Sequence, residues 1–241
     1  MEKHIKKGRA DLHIHSRYSR DSLSPLRSIL KKARKQELDI IAITDHDVIK
    51  GAIEAQKIAP EFGVEVVIGE EISAKEGDVI ALFVKEAISP GRTVLETVRE
   101  IHKQQGLAVI PHPNNWFLGG VPTKTILNIS DELDGIELLN GSWVGKIARK
   151  KNKKLNGSIF NLAPVGGSDA HLVSHVGCAC TLFPGQSKAD LYKAIKENLT
   201  LPDGAIWNYK GRFLWLAASP IIFCKRPLMT AEPVYRFFKK F

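Results

Sequence analysis

The chain has 241 residues, 44% hydrophobic and 25% charged, with a net charge of +9 from 35 basic and 26 acidic residues. Apolar residues recur in short runs throughout, which excludes disorder as the main state, and the length suits one α/β barrel domain. The longest apolar stretch, 213–223, is broken by Ser219 and Pro220 and falls short of the ~20 residues a membrane-spanning helix needs.

The first ten residues, MEKHIKKGRA, hold no apolar segment and no cleavage site, so no secretory signal is read there. Strand-like runs follow at 8–14, 39–43, 64–69, 78–84, 107–111, 133–139, 162–166 and 176–183. Helical patterns fill most of the intervals, at 25–37, 50–60, 91–105, 143–156 and 187–198. Ser24 and Pro25 read as a cap and first turn, and Gly63 and Gly106 as helix stops. This alternation predicts a mostly parallel sheet covered by helices. Residues 201–241 break the pattern. They carry seven basic residues against Asp203 and Glu232, and read as a basic, aromatic extension to a domain spanning 1–200.

The polar residues fall at one end of the strands. Run 8–14 carries His13 and leads to His15, an H-x-H that directs both imidazoles to one face. Run 39–43 ends in Thr44-Asp45-His46-Asp47, run 64–69 in Glu70-Glu71, and run 107–111 in His112. Run 133–139 carries Glu137 and ends in Asn140, and run 162–166 leads into Ser168-Asp169-Ala170-His171. Six of the eight runs thus deliver His, Asp or Glu to the rim where parallel barrels build their sites. Such a cluster cannot satisfy its charges and lone pairs internally, and imidazole with carboxylate suits Zn²⁺, Mn²⁺ or Fe²⁺.

Other features read as structural. His4 and His102 are expected on the surface, and His175 in a loop near substrate. Cys178, Cys180 and Cys224 are an odd set that fits a reducing, cytoplasmic compartment. The C-x-C pair reads as small buried residues in preference to a metal pair. Walker, dinucleotide-binding and serine-hydrolase motifs are missing from the sequence, and Ser168 is a poor nucleophile candidate despite its Asp and His neighbours. The basic balance favours anionic ligands, and 143–156 concentrates Lys146, Arg149, Lys150, Lys151, Lys153 and Lys154 without an acid.

DLHIHS (11–16), TDHD (44–47), G-x-E-I (69–72), HP (112–113) and SDAH (168–171) resemble the successive motifs of the PHP family, the polymerase and histidinol phosphatase domain. The resemblance spans about residues 8–200. It implies a distorted (β/α)7 barrel with metals at the C-terminal ends of the strands and phosphoesterase activity through a metal-bridging hydroxide. Two or three divalent ions (Mn, Zn or Fe) would be held by His13, His15, Asp21, His46, Glu71, His112, Asp169 and His171. Several members place a ligand histidine after the glutamate. Here Asp78 takes roughly that place, either as a ligand or beside a missing third metal. Glu70 is left to face solvent.

Asp45 and His171 are the candidates to protonate the leaving group, with Asp45 alternatively orienting a ligand histidine. Arg17, Arg20 and Arg149 are candidates for binding substrate phosphate, with Lys146 beside them. The expected substrates are a small phosphorylated molecule, a nucleotide or an oligonucleotide end, without a stable nucleic-acid complex and with a homo-oligomer allowed. The alternative is a non-catalytic, metal-stabilised PHP binding module. The tail aromatics Trp207, Tyr209, Phe213, Trp215 and Phe223 are expected to pack on the barrel or a second subunit.

Overall fold

Alternating side-chain direction decides which residues of each strand meet the barrel axis. The computed structural model describes residues 7–207. Its first half runs β1 (Lys7–Ile14), α1 (Leu26–Lys35), β2 (Ile40–Ile43), α2 (Lys50–Ile58), β3 (Glu65–Ser73), β4 (Asp78–Leu82) and α3 (Val94–Lys103). The second half runs β5 (Leu107–Ile110), α4 (Thr123–Ile129), β6 (Gly135–Asn140), α5 (Arg149–Leu155), β7 (Ala163–Gly167), β8 (Ala179–Pro184), α6 (Lys188–Lys196) and β9 (Leu201–Gly204).

One sheet contains all these strands, in the order β7-β6-β5-β4-β3-β2-β1-β8-β9. Its far ends meet. The Thr181 hydroxyl on β8 accepts from Gly166 N and donates to Gly166 O of β7, both at 2.9 Å. A parallel bridge joins Ile14 to Ala170 just past β7. The result is a nearly closed, barrel-shaped α/β sheet.

Three apolar layers follow from the alternation. Ala10, Leu12, Ile40, Ala42, Val67, Ile80, Leu82, Val109 and Val165 fill the interior. Ile14, Ile41, Ile43 and Val66 face α1 and α2, whereas Ile72, Val79, Ala81, Ile110 and Ile136 face α3 and α4. Leu12 lies inside and Ile14 outside, a change of parity absorbed by a register shift between Asp11 and Ile14. His13 and His15 flank Ile14 and therefore turn inward, above the apolar stack.

Strict alternation of strand and helix is not kept. β3 and β4 form an antiparallel pair joined by a short turn, and β4 is antiparallel to β5 as well. β8 runs antiparallel to β1 and β9. The mostly parallel expectation holds for β1–β2–β3 and β5–β6–β7.

The expected helix at 143–156 shortens to α5, because the stretch before it is bound as a turn. Asn140 Oδ1 accepts from Ser142 N (2.9 Å), and Asn115 Nδ2 donates to Val144 O (2.9 Å). Ser24 does not cap α1: Pro25 occupies the cap position, and the Ser24 hydroxyl donates to His171 O instead (3.1 Å). α3 and α6 begin with capping boxes, Thr93–Glu96 and Ser187–Asp190. α4 lies in an interval where no helix was expected.

The boundary placed at residue 200 falls before β9, which pairs with β8, and Trp207 is buried with its Nε1 donating to Ser168 O (3.0 Å). Tyr209, Phe213, Trp215, Phe223, Cys224 and His4 lie outside the described residues. Among the described residues no helix is long and apolar enough to cross a membrane.

Asp11 ties the closing strands together from a fully buried position. Its carboxylate accepts from Ser168 N (2.9 Å), Gly177 N (2.8 Å) and His13 N (3.4 Å). Asp11→Ala leaves these donors unmatched, and each buried N–H without a partner costs roughly 1–3 kcal/mol. A clear fall in the urea midpoint at unchanged m-value is expected. An unchanged midpoint would show that closure does not depend on Asp11.

Candidate metal centre

Glu71 stands at the middle of the barrel mouth, on β3, almost fully buried. Its Oε2 lies 3.2 Å from His13 Nε2, 3.2 Å from His15 Nε2 and 3.5 Å from His46 Nε2. Its Oε1 lies 3.0 Å from His112 Nε2. One carboxylate thus faces four imidazoles delivered by the ends of β1, β2 and β5.

Asp169 and Asp21 are the flanking carboxylates. Asp169 Oδ1 lies 3.6 Å from His13 Nε2, 3.5 Å from His15 Nε2 and 3.5 Å from His171 Nδ1. Asp21 Oδ2 lies 3.1 Å from His46 Nε2 and 3.2 Å from His171 Nε2. Three overlapping sets have ligand atoms within 4.8 Å of one another: His15, Asp21, His46 and His171; His13, His15 and Glu71; and Glu71, Asp78 and His112. Every residue of the expected ligand set, Asp78 included, therefore comes to this mouth.

Electrostatics bind the cluster. Burial works against the charge of His13, yet Glu71, Asp169 and Glu137 outweigh it and hold its pKa well above the usual range. His15 is likewise pushed up to about 10 against burial, by Asp169 and Glu71. Asp21 and Glu71 are held well below the carboxylate range despite burial, by His46 with His171 and by His46 with His13 respectively. Asp78 goes the other way, to about 7, through burial and then the nearby Glu71 charge.

Five imidazoles and four carboxylates with converging lone pairs are the donor set of divalent first-row metals. The His13 and His15 Nε2 atoms are only 3.1 Å apart, an arrangement suited to a shared cation. Among the described residues His46 Nδ1 and His112 Nδ1 are buried without hydrogen-bond partners, and these two rings are engaged there only through Nε2. The residues present fit a metal centre.

A surrounding layer fixes the orientation of these groups. Glu137 Oε1 receives His13 Nδ1–H (3.1 Å), leaving Nε2 to face Glu71, and Oε2 accepts from His112 N and Asn140 Nδ2, both at 2.8 Å. Asn140 Nδ2 also reaches Asp169 Oδ2 (3.2 Å). Ser19 donates to Asp21 Oδ1 (2.6 Å) and accepts from His46 N (3.3 Å). Sequence reasoning placed Glu137 and Asn140 on the right strand end but gave them no role. A glutamate two residues inside an apolar strand was the available signal. Ser19 offered none.

Backbone strain accompanies the rim: Asp47 (φ 57°), His112 (φ 32°) and Asp169 (φ 51°) all adopt the left-handed region. Gly119 (φ 78°) does so where a Cβ would strike the Asp78 carboxylate, so only glycine fits there.

The other residues singled out in the sequence take varied positions. Glu70 does not face solvent. It is fully buried, its Oε2 accepts from Ile88 N (2.9 Å), and burial pushes its pKa up to about 7. His175 is buried and stacked on Trp207, with centroids 3.9 Å apart. Asp45 is fully buried with both carboxylate oxygens taken by the Ser16 N–H and hydroxyl, beside His15. Arg20 is committed to Asp47 Oδ2 (2.7 Å) and Ser73 Oγ (3.3 Å). Arg17 and Arg149 are exposed, the former 5.5 Å from the Tyr18 ring centroid. Ser168 is buried with its hydroxyl on His13 O (3.3 Å). His102 lies away from the cluster, 2.8 Å from Asp134. Burial raises the Cys178 and Cys180 thiols, the latter to about 12, which suits buried strand residues better than thiolate ligands.

Glu137→Gln tests the orienting layer. Glutamine has one acceptor oxygen, so it cannot serve the His13 Nδ1–H together with the donors from His112 and Asn140. A fall of about 10–100-fold in Mn²⁺ affinity by titration calorimetry is expected. Wild-type affinity in this variant would show that Glu137 does not position the ligands.

Comparisons with known proteins agree with this fold. The PHP domain family matches residues 11–200. An uncharacterized protein of Methanocaldococcus jannaschii is 42% identical over 142 residues, which is 55% of this chain and 81% of that protein. A 3′,5′-nucleoside bisphosphate phosphatase of Chromobacterium violaceum is 33% identical over 85 residues, 35% of this chain and 30% of that enzyme. In fold, the chain resembles a Bacteroides vulgatus two-domain protein described as containing a predicted PHP-like metal-dependent phosphoesterase. That match has a TM-score of 0.68 and 19% identity, covering 88% of this chain and 70% of the other. The chain belongs to the PHP domain family.

Proposed function

We propose that this protein is a metal-dependent phosphoesterase that hydrolyses a small phosphorylated molecule, a nucleotide or a nucleic-acid end. The observation that carries the reading is the convergence of five imidazoles and three carboxylates in three overlapping ligand sets at one barrel mouth, with Asp169 against three of the same imidazoles. The family and the phosphatase relative support the same chemistry.

His13, His15, Asp21, His46, Glu71, Asp78, His112, Asp169 and His171 would hold two or three divalent ions of Mn, Zn or Fe. Bound there, such ions supply Lewis acidity, which acidifies water and offsets charge on phosphoryl and leaving oxygens.

The chain's own residues would do the rest. Glu71 and Asp169 spread negative charge across the mouth. Glu137 and Asn140 fix the tautomer of His13 and the rotamer of Asp169. Asp45 is assigned a positioning role, because its fully buried carboxylate holds Ser16 beside His15 through both oxygens. His171 has the most exposed imidazole of the five, at 16%, and its Nε2 faces Asp21, which favours the ligand role over proton donation. Arg20, with Asp47, would set the local field without gripping phosphate, whereas Arg17 and Arg149, both exposed, would be the candidates to bind a substrate anion.

The test is turnover of a phosphoester panel by protein purified without chelator and supplied with Mn²⁺. Hydrolysis that stops on chelation, returns with Mn²⁺ and collapses by several orders of magnitude in His13→Ala is expected. Metal binding with no turnover on nucleotides, sugar phosphates or oligonucleotides would favour the binding-module alternative.

A further inference from the structure

The loop after β5 carries two large aromatic residues on its surface. Trp116 and Phe117 are 64% and 60% exposed and stack on each other, with ring centroids 3.6 Å apart at 28°. Exposed aromatic surface of this size beside a polar mouth marks a place where something binds.

The turn bearing them is fastened to the metal centre at both ends. Before it, Asn115 N donates to His112 O (3.1 Å); after it, Asp78 N donates to Gly119 O (2.8 Å). The aromatic pair is thus held on the rim of the Glu71–Asp78–His112 set. Asn115 Nδ2 also donates to Val144 O (2.9 Å), which joins this turn to the next rim loop, where Trp143 is 40% exposed. From that loop the exposed basic residues Lys146, Arg149, Lys150 and Lys151 run into α5 without an intervening acid.

We infer that the Trp116–Phe117 platform stacks bases of a single-stranded oligonucleotide whose terminal phosphate lies at the metal centre, while the basic strip follows its backbone. This rests on the phosphoesterase reading and names its substrate class. Aromatic faces receive any base, and alternating π-faces and cations are what a strand of bases and phosphates requires. One phosphate would not use so long a strip of positive charge. A chain with net +9 also gains capture rate for a polyanion.

The experiment compares three substrates with Mn²⁺-loaded protein: a terminally phosphorylated single-stranded oligonucleotide, its abasic counterpart of equal length and charge, and ribose 5-phosphate. Stacking contributes ~1–3 kcal/mol per base, so W116A/F117A should lower kcat/KM on the base-bearing strand about 5- to 150-fold, chiefly through KM. Turnover of the abasic strand and of ribose 5-phosphate should stay within about twofold of wild type, since both side chains lie outside the core. Quenching of tryptophan emission by the base-bearing strand should weaken in the variant, and W116Y should restore most of the affinity.

An equal loss on the abasic strand, or no loss at all, would overturn the stacking platform while leaving the phosphoesterase standing, as would a change of oligomeric state by sedimentation in the variant. No turnover on any of the three substrates by wild type would overturn the phosphoesterase reading and this inference with it.

Discussion

Four imidazoles crowd one carboxylate at the centre of this protein, and the rest of the mouth is arranged so that this can happen away from water. Glu71 is almost entirely buried, and so are His13, His15 and His112 around it. Charges taken out of water are tolerated only where opposite charge and hydrogen bonds replace the lost hydration. Protons alone would have to sit on several rings at once, which explains why the imidazoles are driven up and Asp21 and Glu71 down. Divalent cations meet the same demand more economically. The four carboxylates Asp21, Glu71, Asp78 and Asp169 match the charge of two such ions while the rings stay neutral and present their lone pairs.

The barrel makes that concentration of charge possible by separating it from the core. Leu12, Ile80, Val109 and Val165 fill the interior beneath, and the ligands lie above them on strand ends and rim loops. Two register irregularities help, between Asp11 and Ile14 on β1 and between Glu137 and Leu139 on β6. The first turns His13 and His15 inward; the second accompanies the inward placement of Glu137. Glu137 then couples three strands through His13, His112 and Asn140, so the orienting layer is also part of the frame. Rigidity of this kind lets strained residues such as His112 and Asp169 keep their left-handed backbone.

Much of the fold and most of the metal-site constellation were legible in the sequence because both announce themselves locally. Apolar runs set the strands, and His, Asp or Glu at or near the ends of six of them set the rim. What stayed hidden depends on partners far away in the chain. The antiparallel course of β4 follows from a short turn between Ser73 and Asp78, which composition does not distinguish from a loop leading to a helix. Glu70 and Glu71 are neighbours with opposite faces: one meets four histidines and the other lies against Ile88. The resemblance to the G-x-E-I motif favoured Glu71 but could not show that its neighbour is buried. Asp45 and Arg20 read as reactive by type, whereas Ser16, Asp47 and Ser73 had already engaged them, and only three-dimensional contacts reveal that.

Metal stoichiometry of the intact protein, read by native mass spectrometry after dialysis against Mn²⁺, tests the central claim most directly. Two or three ions per chain, falling in His13→Ala, is the predicted result. A spectrum showing only metal-free protein, with the fold intact, would contradict the account.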